Sequence, residues 1–304
     1  MNFFQSLLKK LLLSLIGYDF FEKKIFLEGQ RFSLIQKKLK KIEDLSETEF
    51  SVFSQWGDDG IINWLIDNIP IKKKTFIEIG TEDYKESNTR FLLKHRNWTG
   101  YLIEGNNLHV ENIKKQTTHW KYDLNVHHKL ITRENINSTI KELNLGGEIG
   151  LLSLDIDGID YWALKELKII NPVIFVCEFN SVFGDLNSVS VPYNKNFNRT
   201  KFHYSNLAFG ASIQAFIKVS QKKGYEFIGT NSNGVNAYFI KKNHYKFIKS
   251  KIKHRTIFTS KTRESRDRNY NKTFLKDDKR LKKIKNVKVY DIEKNKLIKI
   301  KDIT

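Results

Sequence analysis

Apolar and polar positions along this chain alternate between two periods, and the alternation is regular enough to predict elements. Residues 3–16 (FFQSLLKKLLLSLI) place Phe4, Leu7, Leu8, Leu11, Leu12, Leu15 and Ile16 on one helical face with Gln5, Lys9, Lys10 and Ser14 opposite, which predicts an amphipathic helix. Lys9 and Lys10 interrupt a stretch already short of the roughly 18–20 apolar residues that a membrane span needs. No small-x-small cleavage site follows, so a signal peptide fits poorly. The helix either docks on its own domain or lies on a membrane surface.

Further along, Asp58, Asp59 and Gly60 precede IINWLIDNI, a helix ended by Pro70. KKTFIEIG (73–80) is an apolar run ending in glycine, a buried strand feeding a turn. NTRFLLKHR (88–96) reads as a helix, YLIEG (101–105) as a second strand, 107–116 as a helix and WKYDLNV (120–126) as a weaker third strand. A helix near 135–145 leads into GLLSLDIDG (150–158), then a helix over 160–168 and the continuous apolar strand VIFVCEF (173–179). Strands alternating with helices predict a mostly parallel sheet with crossover helices. After Asn180 the pattern stops until about Ser205, a loop of a length that is usually functional. A helix over 210–224 follows, and two short strands flanking NSNG (231–234) predict an antiparallel hairpin.

Composition changes this picture in one respect. The 304 residues carry 53 Lys+Arg against 34 Asp+Glu, a formal charge of +19, but the excess is local. Residues 241–304 hold 23 basic and 7 acidic side chains, whereas 51–240 hold 21 and 20. The chain therefore divides into an N-terminal helical extension (1–50), a nearly neutral α/β domain (51–240) and a basic C-terminal extension (241–304). Aromatics are abundant and Cys177 is the only cysteine, which excludes a disulfide scaffold and favours a reducing, cytoplasmic setting. The basic extension is expected to be a solvated, Lys-biased helical segment, or to hold the protein on the inner face of an anionic membrane. Nucleic acid is the less favoured partner, since no reader motif appears and Lys alternates with Ile, Asn and Asp rather than with stacking aromatics.

Ligands of open α/β sheets bind outside the carboxyl ends of the strands. Here those ends carry a succession of acids: Glu78 with Gly80 after the first strand, Glu104 after the second, Asp123 after the third, Asp155 and Asp157 after the fourth, and Glu178 with Asn180 after the fifth. Any one could merely cap a helix; the series points to a site. Glu104, 24 residues beyond Gly80, stands where a carboxylate takes both hydrogens of a ribose diol. The dinucleotide fingerprint G-x-G-x-x-G is absent, and the acids of Gly80-Thr81-Glu82-Asp83-Tyr84-Lys85 would repel a pyrophosphate. A cationic or neutral nucleoside is favoured, with S-adenosyl-L-methionine the obvious candidate.

The segments SQWGDDGII (54–62), FIEIGTEDYKESNTRFLL (76–93), YLIEG (101–105), SLDIDGIDYW (153–162), CEFNSVFG (177–184), VPYN (191–194) and GTNSNGVNAYF (229–239) together resemble the FkbM-like branch of class I S-adenosylmethionine-dependent methyltransferases. The resemblance implies a Rossmann-like seven-stranded methyltransferase fold whose last strand is antiparallel. It also implies O-methylation of a sugar or related hydroxyl in glycan or secondary-metabolite biosynthesis. Cofactor contacts are then expected from Glu78, Gly80, Asn88, Glu104, Asp123 and Asp155, and acceptor contacts from Glu178, Asn180, Tyr193 and Arg199. Of the usual acid-x-Gly-x-Gly-x-Gly loop only Glu78 and Gly80 remain; Glu82 and Tyr84 hold the later glycine positions, so the loop should crowd the methionine moiety unless its backbone shifts. A member that has lost catalysis and survives as a binding protein is the alternative.

Methyl transfer to a hydroxyl needs in-line positioning and a group that removes the proton. Asp155 and Asp157 could act with His203 as general base, or with a Mg²⁺ held by Asp157, Glu178 and Asn180. Asp155-Ile156-Asp157-Gly158 also resembles the nucleophile motif of haloacid-dehalogenase-type phosphatases, but that motif normally opens its domain, whereas here strands precede it, and the later pair Asp277-Asp278 lies in a Lys-rich segment.

Overall fold

The computed structural model describes residues 18–303. The amphipathic helix expected over 3–16 lies outside them. In chain order the elements are α1 (Tyr18–Gln36), α2 (Asp58–Asn68), β1 (Thr75–Ile79), α3 (Arg90–Arg96), β2 (Thr99–Glu104), α4 (Asn107–Lys114), α5 (Thr117–Lys121), β3 (Leu124–His128), α6 (Ile136–Glu142), β4 (Gly147–Leu154), α7 (Asp160–Glu166) and β5 (Ile170–Glu178). They continue with β6 (Val189–Ser190), α8 (Arg199–Phe202), α9 (Ile213–Lys222), β7 (Tyr225–Thr230), β8 (Asn236–Lys241), α10 (Lys242–Tyr245), α11 (Asp278–Lys283), β9 (Lys288–Asp291) and β10 (Lys296–Lys299).

Seven strands form one sheet in the order β3-β2-β1-β4-β5-β8-β7. β1 to β5 are parallel; β8 runs antiparallel to β5 and to β7. This is the Rossmann-like methyltransferase fold expected above, closed by its antiparallel hairpin. Side chains alternate across the sheet as a strand's period of two demands. Ile77, Leu152, Phe175 and Phe239 face a core under α6, α7 and α9, while Phe76, Leu151, Ile174 and Tyr238 face the other with α2 and α3. Both faces are covered, which is why these strands read as unbroken apolar runs.

Two differences from expectation have physical causes. Trp120 and Lys121 close helix α5, so the third strand begins at Leu124, four residues later than its sequence suggests. The described residues of 241–304 do not form a helical extension: their helices are short, two α-helical and one 3-10, and β9 and β10 join β6 in a second, antiparallel sheet, order β10-β9-β6. Ile284, Val289 and Ile300 from that segment share a small core with Val182, Val189 and Leu207 of the long loop. The isolated bridge Ile42–Ile252 ties the C-terminal segment to residues before the sheet as well.

Candidate functional site

At the carboxyl ends of the parallel strands lies a cavity of about 980 Å³. Its floor is formed by the paired carboxyl ends of β1 and β4. Gly80 has φ +80° and Asp155 crosses close above it. Glu78, the last acid of β1, is buried and turned into the following loop: its carboxylate accepts Ser87 Oγ (2.6 Å), Thr89 Oγ1 and the Asn88 backbone N–H (3.0 Å). Burial raises its pKa. From the other side Glu104 takes the N–H groups of Thr81 (3.0 Å) and Glu82 (2.9 Å) on Oε2 and that of Asn106 (2.8 Å) on Oε1. Two acids thus hold the loop that glycines would otherwise shape. Glu82 (φ +45°) and Tyr84 (φ +60°) keep the left-handed backbone of those positions. The Tyr84 side chain is wholly buried, its hydroxyl 3.1 Å from Thr89 Oγ1, so it does not crowd the cavity as expected.

The β4 turn is built by Asp160, whose carboxylate receives the N–H of Ile156 (2.7 Å) and of Gly158 (2.9 Å). Burial pushes that group up to about 6. The turn puts Asp157 in the left-handed region (φ +54°) and lets Phe197 of the long loop lie on Gly158, where a Cβ would be 2.2 Å from its ring. Asp155, Asp157 and Glu178 each bring an oxygen within 4.8 Å of the others, a spacing that suits a divalent cation. Burial, then the neighbouring acids, drive Asp155 and Glu178 well above the usual carboxylate range. Arg199 Nη1 meets Asp157 Oδ1 at 3.0 Å, its Nε binds the Asn206 carbonyl at 2.7 Å, and its guanidinium stacks 3.6 Å from the Phe209 ring centroid.

Several expected residues stand elsewhere. Asp123 precedes β3 at the amino-terminal end of the strands, bonded to Thr99 Oγ1 (2.8 Å), and takes no part in the cavity. The shift of β3 brings Lys129, Leu130 and Ile131 to the cavity instead. His203 lies off the cavity with Nδ1 2.7 Å from Ser205 Oγ and its ring stacked on Tyr204, not beside Asp155 and Asp157 as expected of the base. Burial and Lys283 lower its pKa. Tyr193 is also outside, hydrogen-bonded to Glu134 and covered by Arg133. Asn180 lines the cavity, but its amide donates to the carbonyls of Leu207 and Phe209 (both 2.9 Å) and accepts the Val182 N–H (2.9 Å). It fastens loops rather than presenting a metal ligand. Asn88 and Arg199 do reach the cavity, Asn88 with its Nδ2 3.1 Å from Ser153 Oγ.

No protein-family model and no curated relative matches the sequence. Solved structures are similar to this chain in fold. The N-terminal domain of EvdMO1 with SAH bound is 11% identical over 69% of this chain and 94% of that one, with a TM-score of 0.40. The CurJ carbon methyltransferase is 10% identical over 64% and 56%, TM-score 0.40, and the mitomycin 7-O-methyltransferase MmcR 12% over 55% and 48%, TM-score 0.35.

The far half of the cavity holds residues that sequence reasoning did not single out. Asp58, at the start of α2, is fully buried; its Oδ1 accepts Asn236 Nδ2 (3.0 Å), Asn231 Nδ2 (3.2 Å) and the Tyr238 hydroxyl, while the buried Oδ2 has no partner. Desolvation raises its pKa. Asn236 is the ladder partner of Glu178, so Asp58 belongs to the same end of the sheet. Ser260, Thr262, Glu264 and Arg280 come from the basic C-terminal segment. Arg280 pins that strap, donating to the carbonyls of Ser260 (3.3 Å) and Thr262 (2.9 Å) and to Ser181 Oγ (3.4 Å). Asp58 carried a signal, since two adjacent acids before an apolar helix exceed what one cap requires; the strap carried none.

Proposed function

We propose that the protein is an S-adenosylmethionine-dependent O-methyltransferase of the FkbM-like kind, acting on a sugar or other polyhydroxyl acceptor. The observation that carries this reading is the single cavity running from the ends of β1 and β2 to those of β4 and β5 under the C-terminal strap. Its first half has Ile79, Ile103, Leu130 and Ile131 for a purine. Glu104 Oε1, with one lone pair left beside the Asn106 N–H, is there for a ribose hydroxyl. The acids at Asp155 and Asp157 suit a cationic sulfonium and disfavour a pyrophosphate. The cofactor supplies an electrophilic methyl group; the chain supplies everything else.

The acceptor half is polar, lined by Asp155, Asp157 and Glu178 with Asn88, Arg199 and Thr262 as further hydrogen-bonding groups. Asp155 and Glu178 are half-buried with oxygens within 4.8 Å of each other, so ionising both is costly and whichever is ionised is a base with raised proton affinity. That pair takes the proton of the acceptor hydroxyl. Arg199 balances Asp157 and keeps the turn in place.

Calorimetric titration with S-adenosylmethionine and S-adenosylhomocysteine tests the reading. Micromolar binding supports it; absence of heat from the wild type rejects it. A Mg²⁺ ion at Asp155, Asp157 and Glu178 is the second reading, favoured by the convergence of three oxygens. Heat of Mg²⁺ binding that vanishes in Glu178→Gln would establish it, and methyl transfer undiminished in excess EDTA would remove it.

A further inference from the structure

We infer that the solvent-facing side of α1 is a docking surface for an anionic lipid bilayer. This helix is fastened to the domain by polar groups and by Phe26, which packs on Phe53 and Phe91, and it leaves its other large apolar side chains largely exposed, Phe32 with one face on Phe50. Inside, buried Ser33 and Gln36 meet Asn63 of α2, whose Nδ2 is 3.1 Å from Ser33 Oγ and 2.8 Å from Gln36 Oε1. Gln36 also donates to the Gly60 carbonyl (3.0 Å), and Glu22 pairs with Arg90 and Lys94. Outside, Phe20, Leu27 and Leu34 form one stripe at intervals of seven, and Phe21, Ile25, Phe32 and Ile35 form a second; each of these seven is between 44% and 62% exposed. At about 100° per residue the two stripes adjoin and cover roughly half the circumference. An ordinary surface helix has the reverse arrangement.

Charge decides the occupant. Lys24 and Arg31 run between the two stripes, and Lys23, Lys37, Lys38, Lys40 and Lys41 are exposed nearby. Against these seven cations the exposed side of residues 20–41 offers one carboxylate, Glu28, which Arg31 engages at 2.7 Å. A second copy of the same face would bring like charges together. Anionic phosphates would not, and Phe and Leu interleaved with Lys suit the headgroup depth, where rings reach the acyl boundary while ammonium groups extend to the phosphates. The contact is interfacial: among the described residues no helix is long and apolar enough to cross a membrane.

Flotation of the full chain with phosphatidylcholine vesicles, with and without phosphatidylglycerol, tests this independently of any cofactor. Binding is expected only where phosphatidylglycerol is present. The combined variant Phe21→Ser, Phe32→Ser, Leu34→Ser, checked by its thermal melt to be folded, should bind at least about tenfold less, and Lys24→Gln with Lys38→Gln should release at lower salt. Equal flotation with neutral lipid, no flotation of the wild type, or a folded triple variant that floats unchanged would each overturn the inference. So would a dimer in sedimentation that the triple variant dissociates, since the face would then join two copies of the chain.

Discussion

Gly80 and Asp155 meet through their backbones: a Cβ on Gly80 would stand 1.6 Å from the carbonyl oxygen of Asp155. The same contact is closed by the Asp155 N–H bonded to the Ile79 carbonyl at 3.0 Å, so the strand ends are locked together where the cavity begins. Gly80→Ala has no room and an unfavourable φ. Chemical denaturation should show a loss of about 3 kcal/mol or more, with S-adenosylhomocysteine binding abolished in whatever fraction stays folded. A stable variant that still binds would mean the floor can move.

Glu104 is as much a loop anchor as a nucleoside contact. Glu104→Ala leaves the N–H groups of Thr81, Glu82 and Asn106 without their acceptor. Stability should fall by about 2–3 kcal/mol and cofactor affinity should fall with it. Glu104→Gln keeps one acceptor oxygen but turns an amide NH₂ toward an N–H, and should lie between. Lost affinity at unchanged melting temperature would instead assign Glu104 to the ligand alone.

The sheet was legible because both its faces are covered: YLIEG and VIFVCEF are apolar runs that only a doubly buried strand explains. The third strand was not, because LNVHH is half-exposed and Trp120 just before it mimics a strand residue while ending a helix. Acids at strand ends located the cavity, yet their side chains divide by partner. Glu78 and Asp160 turn back to bind backbone or hydroxyl groups, while Asp155 and Glu178 stay open to the cavity. Spacing alone cannot separate these two uses. Nor could it foresee that Arg280, from a segment read as solvated, crosses about a hundred residues of sequence to reach Ser181.

His203 gives a contrasting expectation. Its ring serves Ser205 and Tyr204 away from the cavity. His203→Ala should cost about 1 kcal/mol of stability and leave S-adenosylhomocysteine affinity unchanged in calorimetry. A large affinity loss in a folded variant would return the residue to the site.

Asp59 makes stability depend on pH in an unusual direction. Its Oδ2 gathers the N–H groups of Val52 (2.7 Å), Phe53 (2.7 Å) and Ser54 (2.9 Å), but its buried Oδ1 has no partner and Asp58 lies beside it. Burial pushes the group from 3.8 up to about 7. The unfolded chain therefore releases this proton near pH 4, whereas the native protein keeps it until about pH 7. Over that window the native state binds more protons than the unfolded one, so stability falls as pH rises; the contribution is complete below the unfolded value and gone above the folded one. It amounts to at most about 4 kcal/mol. Asp59→Asn keeps an acceptor for the backbone groups and cannot ionise. Urea denaturation across this range should show the wild type losing up to about 1.4 kcal/mol per pH unit relative to the variant, with the difference levelling off on either side. Parallel stability curves for the two proteins would show that Asp59 ionises in the folded state as it does in the unfolded chain.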